Sequence, residues 1–428
     1  MKVAGKTKVL VAGVLIAGTL ATACSPSQTQ SAVHQSGTTT IVFWDLFGGA
    51  DGTTMNQIVK KFNQTHPSIH VQEETQDWGQ YYTKLITAVL GGKAPDLAIS
   101  HVDHIGILRT QGVIEPLDKE AASAGIKWSQ FFEPPMKDAV INGKHYAIPL
   151  DIHTYLLFYN KKVLQSAGIS PSQLNIASYN DFVSICNQVK EHGYVPLSFG
   201  ESGWGPLAIW ETFYYQMGGT SLLNKAGTKE TFTDATNDAV AIKAMQKLYD
   251  LYNTSHIIPS NISNPDELFK SGKAAFCIEG TWSVDDFHKA LGDQLGVAQM
   301  PVFFQQPAAW ADSHTFVLPV NPNRTPEQTK DAMIFVKWIE NHAWMWAKAG
   351  HIPANKIIQN TPQFKALPYR SNYGSQASFV KYFPMTDTVW MMSDNEILNK
   401  LQGILLKQTP VARGVQEMGQ ILDRQLEE

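Results

Sequence analysis

The stretch TIVFWDLFGGADGTTMNQIVKKF, residues 40–62, contains a whole strand, turn and helix. Residues 40–44 are dominated by β-branched and aromatic side chains, the composition of a strand. Gly48, Gly49 and Gly52 then supply a loop, and Met55, Ile58, Val59 and Phe62 follow at helical spacing. The pattern repeats downstream. Ile69 and Val71 begin a second strand, and Tyr82, Leu85, Ile86 and Val89 mark a second helix, which Gly91 and Gly92 end ahead of Pro95 and a third strand over 96–99. Strands alternating with helices predict an α/β fold with mainly parallel sheets covered on both faces. Apolar periodicity places further helices over 181–190, 238–252 and 329–340. About 390 residues follow residue 39, more than one ordinary core accommodates, so two lobes are expected. Ligands of open α/β sheets bind outside the carboxyl ends of the strands, which makes the loops 45–51, 76–78 and 101–104 the candidate binding surface.

The N-terminus carries a different signal. Lys2, Lys6 and Lys8 precede an uncharged apolar run over 9–20, and Ala21, Thr22 and Ala23 lead into Cys24, the order of a bacterial secretory leader with a lipobox. As a helix that run spans only ~18 Å, short of the ~30 Å of bilayer hydrocarbon, so a cleaved signal peptide over 1–23 is expected instead of a membrane span. Cleavage leaves Cys24 at the new N-terminus for lipidation, a diacylglyceryl thioether plus an N-acyl chain that anchors the protein on the outer face of the cell membrane. Residues 25–40 hold no Lys, Arg, Asp or Glu and are rich in Ser, Thr and Gln, so 24–39 is expected to be a flexible tether.

Composition excludes several classes. A hydrophobic content of 43% rules out general disorder, and the formal charge of 34 minus 38, or −4, offers no electrostatic basis for nucleic-acid binding. Cys186 and Cys277 fall in apolar settings and are read as buried thiols. No GxGxxG, GxxxxGK[ST], GxSxG or HExxH is present, so no cofactor is expected. His101, Asp103 and His104 have metal-ligating chemistry, but one short loop supplies at most three ligands where a structural site closes with four, and no metal is expected. Aromatic rings beside carboxylates and amides are abundant, as in GESGWGPLAIWE over 200–211 and IEGTW over 278–282. A sugar presents an apolar C–H face to an indole and a rim of hydroxyls to polar groups, so this chemistry suits carbohydrate.

The run GKHYAIPLDIHTYLLFYNKKVLQSAGI, residues 143–169, resembles the crossover segment of family 1 extracellular solute-binding proteins, the receptors of carbohydrate ABC importers that include maltose-binding protein. Three further stretches match in order: IVFWDLFGG with VKKFNQTHPSIHV, FKSGKAAFCIEGTW over 269–282, and FVLPVNPNRTPEQTKDAMIFVKWI over 316–339. The resemblance implies a two-lobe flytrap whose lobes close on a ligand about a hinge. It places Asp45, Asp77 and Asp103 on the first-lobe side of the cleft, Asp151 and His153 at the hinge, and Trp204, Gly280 and Trp282 opposite, with His314 and a late stacking Trp390.

On this reading lobe one comprises 40–150 plus 297–342 and lobe two 151–296 plus 343–428. The expected function is capture of a carbohydrate, an oligosaccharide in the first instance, and its delivery to membrane permease subunits by a monomer that makes and breaks no bond. The alternatives are a surface glycan-binding adhesin, a signalling lipoprotein and a glycosidase.

Overall fold

The computed structural model describes residues 37–428; the expected leader, Cys24 and nearly all of the tether lie outside the described residues. In β1 (Thr39–Asp45) Ile41, Phe43 and Asp45 are buried in alternation, as the period of a strand requires. Helix α1 (Gly49–Thr65) follows and buries Met55, Ile58, Val59 and Phe62. Strand β2 (Ile69–Thr75), helix α2 (Tyr81–Leu90) and strand β3 (Leu97–His101) complete the predicted series. Both β2 and β3 pair in parallel with β1.

The chain then passes through β4 (Ile148–Pro149) and the long β5 (Asp151–Asn160) into a second sheet. That region adds α3 (Tyr179–Glu191), β6 (Val195–Ser198), α4 (Trp204–Gln216), α5 (Asp238–Asn253), β7 (Ala274–Gly280), α6 (Val284–Leu291), β8 (Leu295–Ala298) and β9 (Ala309–Asp312). It returns through β10 (His314–Pro319) to α7 (Pro326–Asn341), and ends with α8 (Asn395–Leu405) and α9 (Val411–Leu426). Local chemistry starts several of these helices: Ser178 caps α3, and Thr325 and Gln328 form a reciprocal capping box on α7 with Pro326 at its first position.

The first sheet runs β2–β1–β3–β10, with β10 antiparallel to β3. In the second, β5 pairs antiparallel with β7, β8 and β9, and β7 pairs in parallel with β6. The sheets are therefore mixed, not mainly parallel as predicted, because the strands that carry the chain between lobes run against their neighbours. Among the described residues three cores result, the first in lobe one and the second and third on the two faces of the second sheet. Phe43, Phe62 and Phe335 meet in the first, with ring centroids 5.6 Å (Phe43–Phe335) and 4.9 Å (Phe62–Phe335) apart, and each buried ring is worth ~1.5 to 3 kcal/mol. Trp210, Phe213, Met245, Leu401 and Met418 belong to the second.

Three crossings join the lobes, and two of them are adjacent; the third follows α7, where Trp346 is still in the first core and Ile352 already pairs with β5. β4 pairs with β10 in the first sheet, and after Leu150 the chain is in the second; β9 lies in the second, and after Ser313 the chain is back in the first. Leu150 N donates to His314 O at 2.8 Å and His314 N to an Asp151 carboxylate oxygen at 2.9 Å, which stitches the crossings together. The return was expected at 297; pairing of β8 and β9 with β5 moves it to Ser313. An apolar run such as 295–298 reads the same in either sheet, so periodicity could not place it. The later boundary at 343 is also too early, since Trp346 remains in the first core. Cys186 and Cys277 are buried and free. Among the described residues no helix is long and apolar enough to cross a membrane.

Candidate functional site

A cavity of about 670 Å³ opens between the two sheets, at the carboxyl ends of β1, β2 and β3. Phe47 and Asp51 from the loop and helix start after β1, Asp77 and Trp78 after β2, and His101 at the end of β3 form its first-lobe wall. His153 on β5, Trp204 at the start of α4, Trp282 after β7 and Trp310 on β9 face them, and His314 opens β10 at the floor. A second cavity of about 690 Å³ shares Gly48, Asp51 and Trp282 with the first and runs on past Asp285, Asp286 and Lys289. Together they make an extended groove with an indole at the junction.

The second-lobe wall is aromatic by construction. Tyr155 and Trp204 stack at 5.4 Å, Trp204 lies 4.7 Å from Trp310, and Trp282 lies 6.0 Å from Trp204. Two glycines allow it. A Cβ on Gly280 would fall 2.2 Å from the Trp282 ring, so only glycine lets that indole fold back over the end of β7. Gly203 has φ of 75°, a conformation that turns the chain so that Trp204 is the first residue of α4. Trp310 is 1% exposed and backs Trp204 from behind.

The floor is polar and organised by Asp151. Its carboxylate accepts from Trp346 Nε1 at 2.6 Å and meets His314 Nδ1 at 2.8 Å and His153 Nδ1 at 3.2 Å. Burial alone would raise its pKa, but the neighbouring His314 and His351 hold it well below the usual carboxylate range. Burial lowers His153 to about 4, and burial with His314 and His153 nearby drives His101 well down, so both rings are neutral at pH 7. His351 goes the other way: burial lowers it, but Asp51, 2.9 Å from its Nε2, and Asp151 raise it overall.

Of the residues predicted for the site, Asp77, His153, Trp204, Trp282 and His314 line the first cavity. Asp45, Asp103, Asp151, Gly280 and Trp390 do not. Asp45 is fully buried and accepts from Phe47 N at 3.0 Å, so it orients the loop that presents Phe47 instead of facing the cleft; burial raises its pKa. Asp103 accepts from Trp390 Nε1 at 2.8 Å, and the indole packs over His104 at 4.7 Å and Tyr82 at 5.1 Å. That pair joins the lobes beside the cavity, and burial lifts Asp103 to about 7. Phe47, Asp51, Trp78 and Trp310 were not predicted as site residues. Trp78 follows Asp77 in a loop already read as binding surface; Trp310 sits in a strand with no distinguishing pattern.

A family model described as bacterial extracellular solute-binding protein matches residues 48–346. The galactooligosaccharide-binding protein of Bacillus subtilis is 23% identical over 415 residues, 93% of this chain and 92% of its own. The maltooligosaccharide ABC transporter solute-binding lipoprotein of Streptococcus pneumoniae is 25% identical over 309 residues, 69% of this chain and 68% of its own. Among solved structures, the GacH receptor of Streptomyces glaucescens, described free and with acarbose, superposes with a TM-score of 0.76 at 19% identity, covering 91% of this chain and 98% of that one. The likeness to the solved receptor is one of fold, and with the family model spanning most of its length the chain belongs to the bacterial extracellular solute-binding proteins.

Proposed function

We propose that the cleft captures an oligosaccharide outside the cytoplasmic membrane and delivers it to the permease of an ABC importer. The observation that carries this reading is the wall of Trp204 and Trp282 facing Asp77, Trp78 and the histidine floor: indoles for sugar faces, polar groups for hydroxyls. The neighbouring cavity that continues past Trp282 gives room for more than one ring, which favours an oligosaccharide over a monosaccharide. The relatives named for galacto- and maltooligosaccharides support the class. Micromolar affinity needs about −8 kcal/mol, within reach of stacked indoles and a few charge-assisted hydrogen bonds in a closed cleft.

Asp77, His153, Trp204, Trp282 and His314 are the direct contacts in this proposal, with Asp45, Asp103, Asp151, Gly280 and Trp390 positioning them. Hydrolysis is not part of the proposal, which rests on the binding role of the family. Lipidation at Cys24 and a monomeric state belong to the same proposal; the run of residues 20–24 supports the anchor. A thermal-shift screen over galacto-, malto- and other oligosaccharides tests the reading. A ligand at 100 times its Kd should stabilise the fold by ~2.7 kcal/mol, and a panel without any shift would refute the carbohydrate assignment.

A further inference from the structure

The floor of the cleft holds three imidazoles drawn from three strands. His101 ends β3, His314 opens β10 and His153 lies on β5, and one ring nitrogen from each lies within 4.8 Å of the others. All three are buried, at 4%, 3% and 6% exposure for His101, His153 and His314, yet all three line the cavity.

Their hydrogen bonds sort the nitrogens. Nδ1 of His314 and Nδ1 of His153 each meet a carboxylate oxygen of Asp151, at 2.8 and 3.2 Å, and Nδ1 of His101 meets the Tyr82 hydroxyl at 2.9 Å. No hydrogen bond is made by the Nε2 atom of any of the three, and the one charged group near them is the buried Asp312, with a carboxylate oxygen 3.9 Å from Nε2 of His153. This is the arrangement of metal-ligating histidine, in which one ring nitrogen is fixed by a carboxylate or other oxygen and the other is left as ligand. A second grouping, Asp151, His153 and His351, is weaker, because the oxygens of Asp151 already hold His153, His314 and Trp346 and one nitrogen of His351 is held by Asp51.

We propose that His101, His153 and His314 bind a first-row transition-metal ion of the zinc type, with its fourth position open to the cleft. Three imidazole nitrogens suit zinc, cobalt or nickel, whereas magnesium and calcium require oxygen donors. In a tetrahedral site with ligands at ~2.1 Å the nitrogens stand about 3.4 Å apart, so binding would draw the rings in from a separation that is now within 4.8 Å. The sequence argument against a metal counted one loop; the fold adds ligands from two others. Because His101 and His314 belong to the first sheet and His153 to the second, the ion would tie the lobes together at their crossings. The open position, facing Trp204 and Trp282, would take water or a hydroxyl of a bound sugar, so with the ion in place His153 and His314 would reach the sugar through it and not directly.

The site is testable without any sugar. The protein is stripped with chelator and titrated with zinc chloride, with magnesium chloride in parallel, and bound metal is counted by atomic emission. One zinc per chain and no magnesium is expected. His153→Ala and His314→Ala should each weaken zinc uptake more than tenfold, Asp151→Asn by roughly ten- to a hundredfold, and His192→Ala, on an exposed helix end, should leave it unchanged. Absence of uptake, or uptake undiminished in both cleft variants, overturns the proposal. Should those variants fold poorly, cobalt(II) added to the unaltered protein decides: intense visible absorption of a four-coordinate ion supports the site, and the weak spectrum of a six-coordinate ion refutes it. Zinc uptake without sugar binding would refute the carbohydrate reading alone, and sugar binding without zinc uptake would refute this one alone.

Discussion

Trp282 and Trp310 show how burial separates two indoles in one wall. Trp282 is half-buried and lies at the junction of both cavities, whereas Trp310 is 1% exposed among Tyr155, Trp204 and Phe383. Trp282→Ala is expected to weaken sugar binding by about 2 kcal/mol, roughly thirtyfold, with little change in stability. Trp310→Ala should instead cost ~3 to 5 kcal/mol of folding free energy. Calorimetric titration beside a denaturation curve checks both, and a Trp282→Ala protein that binds normally but melts early would remove it from the site. Which ring faces solvent is set by tertiary packing, so Trp282 stood out through the stretch IEGTW and the family resemblance while Trp310 was passed over within a strand. The aspartates were harder. Asp45, Asp103 and Asp151 were recognisable as polar residues at strand ends and crossings, but their partners, Phe47, Trp390 and the histidines, are up to 287 positions away in sequence.

At the level of elements, the strand and helix series of the first 65 described residues was legible because each unit is local: an alternating strand, a glycine loop, an apolar stripe. α3, α5 and α7 were placed to within a few residues for the same reason. The crossings were not, since pairing with one sheet or the other leaves no local mark.

One element carries an unmet charge with a measurable consequence. Glu340, in the last turn of α7, is buried with neither carboxylate oxygen hydrogen-bonded, and Lys337 Nζ is 3.8 Å from it. Burial raises its pKa from 4.5 to about 8 despite that lysine. Below pH 4.5 folded and unfolded chains both hold the proton; between 4.5 and about 8 only the folded chain keeps it, so this group lowers stability as pH rises through that window. Glu340→Gln should match the wild type near pH 4.5 and exceed it at pH 8 by on the order of 2 to 4 kcal/mol in urea unfolding. Identical pH profiles would show that Glu340 is ionised in the folded protein.

The whole molecule is built so that one ligand touches both lobes. At two of the three crossings only Leu150 or Ser313 separates the paired strands of the two sheets, and the lobes also meet beside the cleft through pairs such as Asp51 with His351 and Asp103 with Trp390. A sugar lying between Asp77 and Trp282 interacts fully only when the walls approach, so binding should favour the closed arrangement by its differential affinity for it. Small-angle X-ray scattering of the protein with and without a saturating oligosaccharide tests this most directly. The account predicts a smaller radius of gyration with ligand bound, and a scattering profile unchanged at full occupancy would contradict it.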